Sequence, residues 1–98
     1  MSLPLIFRPI AETEYLRASE HYESEHPGLR TEFESEVQAV LHRILEQPDR
    51  YPIAIRDIRF ATTRRFPYTI YYRIRRDHID VLSVFHESRD PSEWQSRS

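Results

Sequence analysis

FPYTIYYRIRRDHIDVLSVFHESRDP, residues 66–91, decides the fold. Phe66, Tyr68, Ile70, Tyr72 and Ile74 alternate with Thr69, Tyr71, Arg73 and Arg75. That period of two is the period of a β-strand, so one face is apolar and the other aromatic and cationic. Asp77-His78 reads as a hairpin turn into a second strand, Ile79 to His86. This strand is apolar on both faces, which predicts a central position in the sheet. Asp90-Pro91 then opens a short helical turn carrying Trp94, with Asp90 placed to cap it and Arg89 placed to pair with a nearby carboxylate.

Upstream of this hairpin the same period extends to Ile58 and Phe60, which alternate with Asp57 and Arg59. Before Pro48 the period changes to that of a helix. Phe33, Val37, Val40, Leu41 and Ile44 form one stripe, with a capping box expected at Thr31 and Glu34. Ala11, Tyr15, Ala18 and Tyr22 form a second stripe on a helix that opens at Pro9 and stops at His26-Pro27-Gly28. Leu3 to Arg8 reads as a short first strand. The order is β-α-α-β-β-β with a short C-terminal helical turn. It predicts an α+β fold in which a helical hairpin packs on one face of a small, mainly antiparallel sheet. The other sheet face is then expected to stay open and to display arginines.

Composition narrows the chemistry. A chain of 98 residues with 39% hydrophobic and 31% charged residues is expected to form one folded domain, residues 1–98. Residues 1–54 carry 10 acids and 5 arginines, a balance of −5, while residues 55–98 carry 6 acids and 9 arginines, a balance of +3. All 14 cations are arginine, so a mechanism that needs lysine is excluded. A single glycine leaves no Gly-rich phosphate loop, and the absence of cysteine removes disulfides and thiolate metal sites. Glu87 follows His86 without a second histidine at zinc-motif spacing, and His21 and His26 are poorly spaced on a helix, so no metal and no cofactor is expected. No apolar run reaches bilayer length and the first residues lack a basic leader, which makes a cytoplasmic, membrane-free location the expectation.

Taken together, the helical hairpin, Arg64-Arg65-Phe66-Pro67-Tyr68 running into Ile70, Tyr71 and Tyr72, and the ending Val84-x-His86-x-x-Arg89-Asp90-Pro91 resemble the RelE/ParE superfamily of type II toxin–antitoxin modules. The ParE-like branch, often labelled plasmid stabilisation proteins, is the nearer likeness. The resemblance implies a toxin neutralised by a cognate antitoxin that folds around it, either as a hetero-oligomer or beside a homodimer. It also implies one of two targets, DNA gyrase in the ParE branch or messenger RNA on the ribosome in the RelE branch.

The residues favour the first. RNA cleavage needs groups that activate the 2′-hydroxyl, protonate the leaving oxygen and stabilise the phosphorane. Glu87 stands where RelE-like members place a catalytic arginine, and Trp94, which transfers no proton, stands where a tyrosine is expected. Inhibition of gyrase by protein binding is therefore the leading expectation. A ribosome-dependent endoribonuclease using His86, Glu87, Arg65 and Arg73 is the alternative. A non-toxic module that only pairs with a regulator is the third reading. Under the leading expectation, Arg64, Arg65, Tyr71, Arg73, Arg75, Arg89 and Trp94 form the surface for antitoxin or target. The plain readings stand beside these roles: His86 as a hydrogen-bonded histidine at a strand end, the arginines as partners of Asp57, Asp77 and Asp80, and Tyr68 and Tyr72 as core.

Overall fold

A computed structural model describes residues 3–97. Strand β1 (Leu5–Phe7) ends where Pro9, which has no amide hydrogen to donate, begins helix α1 (Pro9–Glu25). Helix α2 (Leu29–Glu46) returns antiparallel, and a single 3₁₀ turn (Pro48–Arg50) leads into the sheet. Four more strands follow, β2 (Ile53–Ile55), β3 (Ile58–Thr62), β4 (Tyr68–Ile74) and β5 (Ile79–His86), and then a short helix α3 (Ser92–Gln95). The sheet order is β1-β5-β4-β3-β2, with β1 parallel to β5 and every other pair antiparallel.

The α+β architecture agrees with expectation, with one strand added. Three-residue β2, preceded by Pro52, is too short for periodicity to reveal, and it pairs with β3 through a turn at Arg56, whose φ is +49°. The capping box at Thr31 and Glu34 does not form. Gly28 adopts φ +89°, which lets α2 start at Leu29 and leaves Thr31 already inside the helix. The carboxylate of Glu23 on α1 instead accepts the backbone N–H groups of Gly28 and Arg30, at 3.1 and 3.3 Å, while Glu34 pairs with Arg30 at 3.1 Å. The α1–α2 turn is thus closed by a side chain from the preceding helix.

The main core lies between the helices and the inner face of the sheet. Phe33, Val37, Val40, Leu41 and Ile44 of α2 meet Ile70 and Tyr72 of β4 and Ile79, Val81 and Val84 of β5. Tyr22, Phe33, Phe66 and Tyr68 form an aromatic cluster with neighbouring centroids 4.8 to 6.2 Å apart. Phe66 contributes to this core from the turn before β4. The Tyr72 hydroxyl donates to the Pro48 carbonyl at 2.6 Å, so the one polar atom of a fully buried ring is satisfied.

A register shift in β5 explains why that strand is apolar on both sides. Tyr71 lies opposite Ser83 and Tyr72 opposite Val81, leaving Leu82 as the extra residue of a bulge. Before the bulge Ile79 and Val81 face the helices; after it Val84 does, while Leu82 and Phe85 join a second cluster on the opposite side. That second cluster corrects the expectation of an open outer face. Ile58, Leu82, Phe85 and Trp94 are buried there, because α3 folds back and lays its tryptophan across the sheet.

Candidate functional site

The outer sheet face is a small platform with a charged border. At its centre the Tyr71 and Trp94 rings stack with centroids 3.7 Å apart at 18°. Phe60 and Phe85 flank Tyr71, at 6.4 and 6.2 Å. The alternation did place Tyr71 outward, but it is half-buried beneath Trp94, and burial pushes its hydroxyl pKa up. Trp94 is 2% exposed, its ring covered by Tyr71. It is therefore a structural clamp and not a displayed contact residue.

Arg73 departs from expectation in the same way. It faces outward but is only 6% exposed, and its guanidinium is held by Asp57 at 2.7 Å. The hydrogen bond from Arg73 holds the Asp57 carboxyl below the usual carboxylate range. Arg75 stays half exposed and shares Asp80 at 3.8 Å with Arg8, which grips the same carboxylate through Nε and Nη2 at 3.1 and 2.9 Å. Asp77 pairs with His78 at 2.7 Å. The pairing of Asp57 and Asp80 with arginines agrees with the plain reading of those residues.

One residue organises the border without having been singled out by the sequence pattern. Glu14 of α1 is buried, and one of its oxygens accepts the Ser83 hydroxyl at 2.8 Å and the Val84 backbone N–H at 3.2 Å. Arg97 binds both oxygens at 3.0 Å, and Arg89 adds a bond at 2.7 Å. Burial raises the Glu14 pKa, but the bonds from Arg97, Arg89 and Ser83 outweigh it and hold the carboxyl below its ordinary value. The signal for Glu14 was present as a glutamate at position 14 inside the apolar stripe of Ala11, Tyr15 and Ala18. Arg97 also donates to the Leu82 carbonyl at 3.2 Å, and its own carbonyl accepts from Arg8 at 2.7 Å. The first of these bonds satisfies the Leu82 carbonyl of β5, which β1, paired from Ile79 to Val81, does not reach.

Arg89 pairs with Glu14 and Glu93 and lies 4.5 Å above the Phe85 ring, as its expected structural role requires. Asp90 accepts the Ser92 backbone N–H at 3.0 Å and so helps α3 begin. His86 packs edge-on against Tyr68 at 5.0 Å, and its Nδ1 accepts the Ser88 backbone N–H at 3.0 Å. That bond leaves the ring hydrogen on Nε2. His86 lines an open groove of about 230 Å³ beside Thr13, Arg17 and His21 of α1, on the helical side of the sheet. Glu87 is exposed, its backbone N–H bound to the Pro67 carbonyl at 2.9 Å.

Arg64 and Arg65 lie elsewhere again, in the turn between β3 and β4. Both backbone N–H groups donate to Glu36 of α2, at 2.8 and 3.0 Å, and the Arg65 side chain pairs with Glu32 at 2.8 Å. The structure therefore gathers Tyr71, Arg73, Arg75 and Trp94 around the outer platform, places Arg89 between that platform and the groove of His86, and separates Arg64 and Arg65 from both. Among the described residues no cluster of histidine and carboxylate suited to a metal ion forms, and no helix is long and apolar enough to cross a membrane.

Comparison with known proteins adds independent findings. A family model described as the ParE toxin of the type II toxin–antitoxin system, parDE, matches residues 5–91. No curated protein matches. A solved chain titled "Chromosomal ParDE TA system from P. aeruginosa" superposes with a TM-score of 0.76 at 15% identity, covering 87% of this chain and 96% of that one. At that identity the likeness bears on the fold, which it supports over nearly the whole length of both chains.

Proposed function

The chain belongs to the ParE toxin family of type II toxin–antitoxin systems, and from that premise we propose that it acts by binding a protein target, DNA gyrase, and is neutralised by a cognate antitoxin. The observation that carries this reading is the dispersal of three of the four nuclease candidates, His86, Arg65 and Arg73. His86 lies on the helical side with Nδ1 occupied by Ser88, Arg73 is locked to Asp57 on the outer side, and Arg65 is turned to Glu32 beside α2. General acid–base cleavage requires such groups within hydrogen-bond reach of one phosphate. Their separation supports binding over catalysis.

In this proposal the solvent-facing residues make first contact. Arg75 and Arg65, with side chains 45% and 61% exposed, together with Arg64, are contact residues for antitoxin or target. Tyr71, Arg73, Arg89 and Trp94 act from below by shaping the platform. An antitoxin segment ordered on binding offsets its lost chain entropy by burying apolar surface, so the half-buried rim of Ala54, Ile55 and Tyr71 contributes more affinity than any exposed ion pair. The setting is the cytoplasm, where target and antitoxin meet, and the toxin–antitoxin complex is the expected hetero-oligomer.

Tightly controlled expression in a bacterial host, with and without the neighbouring gene of the module, tests the proposal. Growth arrest with an induced DNA-damage response and intact transcripts, relieved by the neighbouring gene, is the expected result. New transcript ends phased to codons would replace the binding mechanism with RNA cleavage. Unimpaired growth with retained partner binding would leave a non-toxic pairing module.

A further inference from the structure

We propose that the strip formed by Arg64, Arg43 and Arg50 along α2 is a binding site for the phosphodiester backbone of a nucleic acid. Ten of the 14 arginines are engaged with carboxylates, carbonyls or other groups; Arg17, Arg43, Arg64 and Arg76 meet no such side-chain partner among the described residues. Two of these four line one cleft. It has a volume of about 370 Å³ and lies between α2 and the β3–β4 turn, with Ala39 and Val40 as its apolar wall.

The cleft is built and not incidental. Glu36, the carboxylate within it, is bound by the backbone N–H groups of Arg64 and Arg65, which fixes the turn and directs its charge into those bonds. Arg65 lines the same cleft, its guanidinium paired with Glu32 at 2.8 Å and 3.9 Å from Glu36. Arg43 and Arg64 are left as two guanidinium forks with ten N–H donors and no acceptor, and the apolar wall focuses their field. Arg43 also borders a second cleft of about 350 Å³, lined too by Glu46 and Arg50, where Arg50 donates to the Gln47 amide oxygen at 3.4 Å. Three arginines without carboxylate partners thus line two adjoining clefts.

A polyanion is the ligand that a strip of cations attracts, and arginine binds phosphate oxygens in a bidentate fashion. No aromatic side chain lines either cleft, so there is no platform for stacking bases. The contact is therefore with backbone phosphates and carries no sequence information. An acidic peptide is the weaker fit, because neither cleft offers an open strand edge or a deep apolar pocket to anchor a peptide backbone. The site lies apart from the outer platform but shares Arg64 with the contact residues proposed above, so it adds a second ligand to part of that surface.

The test is fluorescence anisotropy of a labelled mixed-sequence duplex and a single strand of the same length, titrated with the intact chain over a range of salt. Three phosphate contacts predict a slope of log K against log salt of about −2.7 on duplex. The double variant Arg43→Ala/Arg64→Ala should lower that slope by about 2. Arg17→Ala and Arg76→Ala, which remove equally unpartnered arginines outside the strip, should leave it unchanged, with circular dichroism verifying the fold of each. Duplex and single strand binding alike would assign the site to phosphate alone; preference for one would identify the source. Absence of salt-dependent binding, equal losses in the Arg17 and Arg76 variants, or binding of a labelled poly-glutamate peptide in place of both nucleic acids would overturn the assignment.

Discussion

The two faces of the sheet are held by different physics. The inner face is closed by two long helices over a core that includes fully buried Phe33 and Tyr72. The outer face is closed by one tryptophan on a four-residue helix, secured by Arg89 and Arg97 through Glu14. Apolar burial is non-directional and sums over area, whereas the outer closure depends on a few directed bonds to one carboxylate. The difference teaches that the inner face sets global stability and the outer face is a local unit able to open at lower free energy.

Substitutions separate the two. Phe33→Ala in the inner cluster should give the largest loss, about 4 kcal/mol in denaturant unfolding, because a fully buried ring leaves a cavity. Trp94→Ala should lose about 3 kcal/mol or less, since α3 undocks without disturbing the helices. Amide exchange around Leu82 and Phe85 should then accelerate while that of α2 does not. Equal protection loss on both faces would abolish the distinction.

Glu14→Gln keeps the shape and an acceptor but removes the charge facing Arg89 and Arg97. A loss of about 2 kcal/mol is expected, and it should appear first as exposure of the C-terminal segment. The pH dependence sharpens this. A carboxyl whose folded pKa is depressed contributes stability above its unfolded pKa, and that contribution disappears as pH falls through the folded value. Stability should therefore decline below about pH 4.5, the ordinary value for Glu14, and Glu14→Gln should flatten that decline. At the small end, Arg65→Ala should leave the unfolding midpoint within experimental scatter, since the side chain stands in solvent and its pairs are screened. In the same variant a measurable change in antitoxin affinity would mark Arg65 as a contact.

Much of the inner face was legible because it follows periodicity. Ala11, Tyr15, Ala18 and Tyr22 repeat with a helix, Tyr68, Ile70 and Tyr72 alternate with a strand, and each pattern is local. The outer platform was misread for the opposite reason. Arg73 and Tyr71 point away from the helices as the alternation requires, but only tertiary structure decides that they are covered, Tyr71 by Trp94 of α3 and Arg73 in its pair with Asp57. Glu14 lay unrecognised within an apolar stripe, and its meaning depends on Arg97 at the far end of the chain. Arg43 carried no local signal, because a cation in the last turn of a helix is ordinary.

By itself, the sequence determined the helical hairpin, the β4–β5 hairpin, the absence of lysine and cysteine chemistry, and the likeness to a toxin family. Those are set by local spacing and by composition, which need no knowledge of what lies across the molecule. Tertiary structure alone decided which arginines are neutralised, which aromatic residues are covered and which charges share a cleft. Ion pairs and ring stacks form between groups that folding brings within a few ångströms, whatever their separation along the chain.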